Sequence, residues 1–183
     1  NSYLNYFNCL SMNIHQQRTV YAAPEDSGVA IGTLSPDTNV QILSVDAFYR
    51  PATAFDPTPF TERYYYIEFA SSAGIVRGYV HEDAFYSFKK ALPSIVPETY
   101  YRSKNNGNNK IVSPSFFNII RAYHGPSTSY KSFDDAIPSD ASVKILDIVR
   151  YDGSKYWYWV EYKAPDGLKR GFVSSNSNAV PKR

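Results

Sequence analysis

The chain has 183 residues, a length for one large domain or two small ones. With 43% apolar and 20% charged residues it is not a disordered polyelectrolyte, and a formal net charge of +2 is too small to bind nucleic acid by neutralising phosphates. A single cysteine excludes an internal disulfide framework and a multi-cysteine zinc cluster, and no stretch of about 18 apolar residues offers a transmembrane segment.

Aromatic residues make up 16% of the chain, with 17 Tyr, 11 Phe and 2 Trp, which favours the pleated surface of strands. The first residue is Asn1 rather than Met, which reads as a processed or excised chain. Residues 1–16 form an N-terminal arm. Within it Tyr3, Leu4, Phe7, Leu10 and Ser11 follow the i, i+3, i+4 spacing of a short helix lying on the body. Arg18–Tyr21 opens the strongly patterned region. Gly32–Leu34 is a brief strand, Ser35-Pro36-Asp37 a turn, and strands follow over 39–46, 64–70 and 75–80, with a turn at Ala73-Gly74 and one 3-10 turn near 81–85. Residues 47–62 contain Pro51, Pro57 and Pro59 and read as a long ordered loop, because proline removes ladder donors. Residues 87–116 form a partly ordered connector, in which Thr99–Arg102 and Lys110–Val112 flank a polar run and are predicted to pair as a hairpin.

The chain then repeats itself. Residues 64–80, YYYIEFASSAGIVRGYV, align without a gap to residues 157–173, WYWVEYKAPDGLKRGFV. Tyr65, Glu68, Gly74, Arg77, Gly78 and Val80 recur as Tyr158, Glu161, Gly167, Arg170, Gly171 and Val173. Upstream, Val40–Val45 matches Val143–Ile148, and Ala23-Pro24 matches Gly125-Pro126. The copies are offset by 103 residues at Val40/Val143 but by 93 at Arg77/Arg170, so copy one carries the longer segment before its aromatic strand. Copy two has the tight-turn signal Asp152-Gly153 there. Copy two also replaces Gly32–Leu34 by Asp134–Ile137, a weaker strand pattern. The expected fold is all-β, two small barrels in tandem of five or six strands each, spanning 17–86 and 117–177, with a C-terminal tail over 178–183.

Alternation along the aromatic strands divides their faces. Tyr65, Ile67 and Phe69 share the predicted core face, as do Tyr158, Val160 and Tyr162. Tyr64, Tyr66 and Glu68, with Trp157, Trp159 and Glu161, lie opposite, where they are covered or face a ligand.

The residues provide little chemistry. Cys9 reads as a small buried apolar group, and His15, His81 and His124 lack metal-ligand spacing and read as surface or loop-capping groups. The acidic pairs Glu25-Asp26, Glu82-Asp83 and Asp134-Asp135 fall in predicted loops. Glu68 with Arg77 and Glu161 with Arg170 read as cross-strand ion pairs of the scaffold. No nucleotide-binding or nucleophile-elbow pattern is present, and the residues call for no catalytic group, cofactor or metal. The aromatic groups Tyr49, Phe55, Phe60, Tyr64 and Tyr66 in copy one, and Tyr151, Tyr156, Trp157 and Trp159 in copy two, sit at the same topological place and are the candidate ligand-binding residues, stacking on an extended peptide or a glycan. The opposing expectation is that these rings bury against the other repeat.

The order of motifs, ending in Gly74-Ile-Val-Arg-Gly-Tyr-Val80 and Gly167-Leu-Lys-Arg-Gly-Phe-Val173, resembles the bacterial SH3-like (SH3b) domain. The resemblance implies an extracellular or periplasmic, envelope-associated, non-catalytic module that binds peptidoglycan peptide or cross-bridge and belongs to a larger hydrolase or envelope protein. If the aromatic groove is what holds the stem peptide or cross-bridge, replacing Trp157 and Trp159 by Ala abolishes wall binding while the fold survives. The alternative is a protein–protein module that docks a neighbouring domain or a Pro-rich peptide.

Overall fold

The computed structural model describes residues 10–24, 28–85, 111–112, 120–138, 141, 143–151 and 155–174. Cys9, Thr99–Arg102 and the acidic pair Glu25-Asp26 lie outside the described residues. The described chain is mostly strand with almost no helix, and every pairing between two of its strands is antiparallel.

Copy one forms a six-stranded sheet from β1 (Leu10–Asn13), β2 (Arg18–Tyr21), β3 (Ala30–Leu34), β4 (Asn39–Arg50), β5 (Phe60–Ser71) and β6 (Gly74–His81), with a 3-10 turn over Glu82–Phe85. The strand order is β1-β4-β5-β6-β2-β3. Copy two forms a four-stranded sheet from β7 (Ile111–Val112), β8 (Val143–Tyr151), β9 (Lys155–Ala164) and β10 (Gly167–Ser174), in the order β10-β9-β8-β7. The predicted strands over 39–46, 64–70 and 75–80 are all present.

Three expectations change. Leu10–Asn13 is a strand, not part of a helix: it pairs with Asn39–Ile42, where backbone partners outweigh a weak helical spacing. Ile111 and Val112 also pair with Lys144 and Val143 of β8, which gives copy two the counterpart of β1, while the expected pairing with Thr99–Arg102 lies outside the described residues. The 47–62 segment is mostly hairpin: β4 runs on to Arg50 and β5 starts at Phe60, in register from Asp46↔Tyr64 to Arg50↔Phe60, so that only 51–59 with its three prolines is loop. Finally, β1 and β3 are the edges of the first sheet, and no pairing among the described residues closes it into a barrel.

The weak early part of copy two keeps the topology through isolated contacts. Tyr123 bridges Phe172 and Ser132, as Tyr21 on β2 bridges Tyr79 and Ala30. Both copies also carry the same β-bulge, between Ile42 and Ser44 in β4 and between Ile145 and Asp147 in β8. A bulge re-aims the side chains on either side of it. Here Val40, Ile42 and Val45 pack into the copy-one core, while Leu43 joins a different cluster.

Three apolar clusters follow. Tyr65, Ile67 and Phe69 pack with Ile14, Val20, Leu34 and Val80 inside copy one. Tyr158, Val160 and Tyr162 pack with Ile120, Phe133 and Val173 inside copy two. The third cluster contains Leu43, Tyr64, Tyr66 and Tyr79 of copy one with Trp157, Trp159 and Phe172 of copy two, and it joins the halves.

Recurring glycines have two distinct causes. Gly74 and Gly167 make the turns into β6 and β10 with φ of 116° and 140°, a region only glycine enters cheaply. Gly78 and Gly171 are needed for space: a Cβ at Gly78 would strike Val20 and Ile31, and one at Gly171 would strike Phe133 and Ala122.

Candidate functional site

The outer faces of β5–β6 and β9–β10 are turned towards each other. Tyr66 stacks at 4.8 Å on Tyr79 and lies 5.7 Å from Trp159, which in turn stacks on Phe172 at 6.3 Å. Tyr64, Tyr66, Trp157 and Trp159 are between 2% and 5% exposed, so these four candidate groove residues join the repeats and line no open groove. The rings bury against the other repeat because a flat aromatic face outside one small sheet is stabilised by covering it.

The recurring Glu–Arg pairs sit in this same interface. Glu68 faces Arg77 across β5–β6, and Arg77 Nε donates to Glu68 Oε2 at 2.7 Å. Glu161 faces Arg170 across β9–β10, and Arg170 Nε donates to Glu161 Oε2 at 2.7 Å. Each arginine then reaches into the other repeat. Arg77 Nη2 donates to the Tyr130 hydroxyl at 3.1 Å, and that hydroxyl donates to Glu68 Oε2 at 2.9 Å. Arg170 Nη1 donates to the Tyr79 hydroxyl at 2.9 Å and to Asp46 Oδ2 at 3.1 Å. Arg77 also stacks on the Phe172 ring and Arg170 on the equivalent Tyr79 ring, at 5.6 and 5.5 Å.

The exchange is reciprocal in the backbone too. Ile75 bridges Tyr130, and its counterpart Leu168 bridges Gly28, the counterpart of Tyr130. The repeats are thus related by an approximate two-fold and meet as an isologous pair within one chain. Sequence reasoning identified the ion pairs but missed their interface role. The available signal was that Glu68 shares a face with Tyr64 and Tyr66.

His124 corrects a second expectation. It is buried, stacks on Phe133 at 4.1 Å, and its Nδ1 is 3.1 Å from the Arg77 carbonyl oxygen. The carbonyl only accepts, so Nδ1 carries the proton. Burial, opposed by that backbone bond, lowers its pKa to about 4, and the ring is neutral near pH 7. His81 stays at the surface between Glu62 and Asp83, and His15 is exposed. No group of three or more His, Cys, Asp or Glu residues among those described is placed to hold a metal.

The remaining candidates separate. Tyr49, Phe55 and Phe60 are 69%, 101% and 49% exposed and all belong to the β4–β5 hairpin, whose tip 51–59 is entirely exposed; Tyr49 pairs with Thr61 and Phe60 with Arg50, so these two rings leave opposite faces of the ladder. Arg50 and Glu62 pair across the base of that hairpin at 2.6 Å and Phe48 packs edge-on against Tyr64, so the arms are held while the tip projects. Tyr151 and Tyr156 flank the β8–β9 turn, and their side chains lie outside the described residues. No protein-family model matches the chain, and no curated protein or solved structure matches it either.

Proposed function

We propose that this chain is a non-catalytic binding module of the cell envelope, working outside the cytoplasm within a larger hydrolase or envelope protein, and that it holds peptidoglycan peptide or cross-bridge. The motif resemblance to SH3b domains supports the ligand class. The observation that carries the binding reading is the aromatic hairpin. Among the described residues the exposed large apolar side chains are Tyr49, Phe55, Phe60 and Ile75, and the first three belong to the β4–β5 hairpin, which is longer than its β8–β9 counterpart in copy two. Large exposed aromatics on one projecting element mark interaction sites. Their rings offer large contact area at little rotamer cost.

The proposal moves the ligand surface from the buried Trp157/Trp159 face to this hairpin. Purified chain is sedimented with isolated sacculi, alongside a Tyr49→Ala/Phe55→Ala/Phe60→Ala variant. The native chain is expected in the pellet and the variant in the supernatant, with an unchanged circular dichroism spectrum. A native chain that stays in solution rejects the wall reading. Equal pelleting of the variant rejects the hairpin as its contact.

A further inference from the structure

Away from the hairpin, the two repeats enclose a cavity of about 170 Å³. The segment Val29–Ile31 of copy one lines one side. The equivalent segment Lys131–Phe133 of copy two lines another, with His124, Asp134, Asp135, Asp166 and Lys169 completing the wall. The cavity is smaller than the roughly 300–1,000 Å³ that accommodates drug-sized molecules, and suits a ligand of amino-acid size.

Its charges are unevenly used. The Lys169 ammonium is buried, 3.0 Å from Asp166 and 3.6 Å from Asp135, with the Phe133 ring 5.7 Å away. That triad has one positive and two negative charges, so Lys169 is already held by its own carboxylates. Lys131 and Asp134 line the same cavity, yet neither side chain has an ion-pair or hydrogen-bond partner among the described residues. His124 lines the same cavity as Lys131, Asp134 and Lys169. The neutral imidazole, protonated at Nδ1, adds no charge and leaves Nε2 as an acceptor.

A small cavity that presents one uncommitted cation and one uncommitted anion is complementary to a ligand carrying the opposite two charges. A simple anion would satisfy Lys131 but face three carboxylates. A simple cation would leave Lys131 unmatched. We propose that this inter-repeat cavity binds a small α-amino-acid zwitterion, its carboxylate towards Lys131 and its ammonium towards Asp134. The site is separate from the hairpin and does not depend on wall binding.

The probes are glycine and L-alanine, with acetate and methylammonium as single-charge controls, followed by NMR on the full chain through the His124 and Phe133 ring signals. Saturable shifts are expected with the two amino acids, and at least tenfold weaker binding with each control. Lys131→Met and Asp134→Asn, both at accessible side chains, are each expected to weaken glycine binding about tenfold or more while leaving the melting temperature in place. Absence of shifts at tens of millimolar amino acid, controls that bind as well as glycine, or variants that bind like the native chain would each overturn the assignment.

Discussion

Arg77 and Arg170 carry more structural weight than an exposed cross-strand pair. Each guanidinium is removed from water and completed by groups from the other repeat, so losing one leaves buried carboxylates without their cation. Arg170→Met is expected to cost about 3–5 kcal/mol, because both Asp46 and Glu161 lose the buried guanidinium between them. Tyr130→Phe leaves the Arg77–Glu68 contact intact and should cost about 1–2 kcal/mol. Urea denaturation measures both, and equal costs would refute the distinction. His124 makes a separate prediction. Its folded-state pKa of about 4 lies below the ordinary 6.5, so the unfolded chain binds the extra proton between those values. Stability therefore falls as pH drops from 6.5 to 4, by up to about 3 kcal/mol from this residue. His124→Phe should flatten the profile across that window. A profile as steep as the native one would show that His124 is not its source.

At the scale of elements, the β4–β5 hairpin and the close strand crossings behave in opposite ways. The 51–59 tip is exposed throughout and packs on nothing in the core, so replacing it with a two-residue Asn-Gly turn should change stability by no more than about 0.5 kcal/mol. Sacculus pelleting should disappear with it. Gly78→Ala is the contrasting change. The added methyl meets Val20 and Ile31, and the expected cost is about 1–3 kcal/mol by urea denaturation. A neutral Gly78→Ala would mean that β2 and β6 can move apart. The hairpin was half legible: its prolines correctly mark 51–59 as loop, but they hide the fact that residues on either side continue a ladder. Proline forbids pairing only where it stands.

For the molecule as a whole, the aromatic interface makes two small sheets into one unit. Neither sheet buries its outer face alone, so the halves should unfold together. Both tryptophans sit in that interface and report its opening directly. The tryptophan fluorescence and circular dichroism midpoints in urea are expected to coincide. Trp159→Ala should shift both by an amount equivalent to about 3–5 kcal/mol. Two resolved transitions in the native chain would instead mean independent domains.

The duplication, the strands over 39–46, 64–70 and 75–80, the core face of Tyr65, Ile67 and Phe69 and the Glu68–Arg77 and Glu161–Arg170 pairings were all determined by the sequence alone. Each rests on local rules: a period of two along the strand and the residues directly opposite across a ladder. Tertiary structure decided what lies against the other face. Alternation places Tyr66 and Trp159 on one side of a strand but contains no information about whether water, a ligand or another sheet meets them there. That was settled by the approximate two-fold between the repeats, which turns the two aromatic faces onto each other and leaves Tyr49, Phe55 and Phe60 outside.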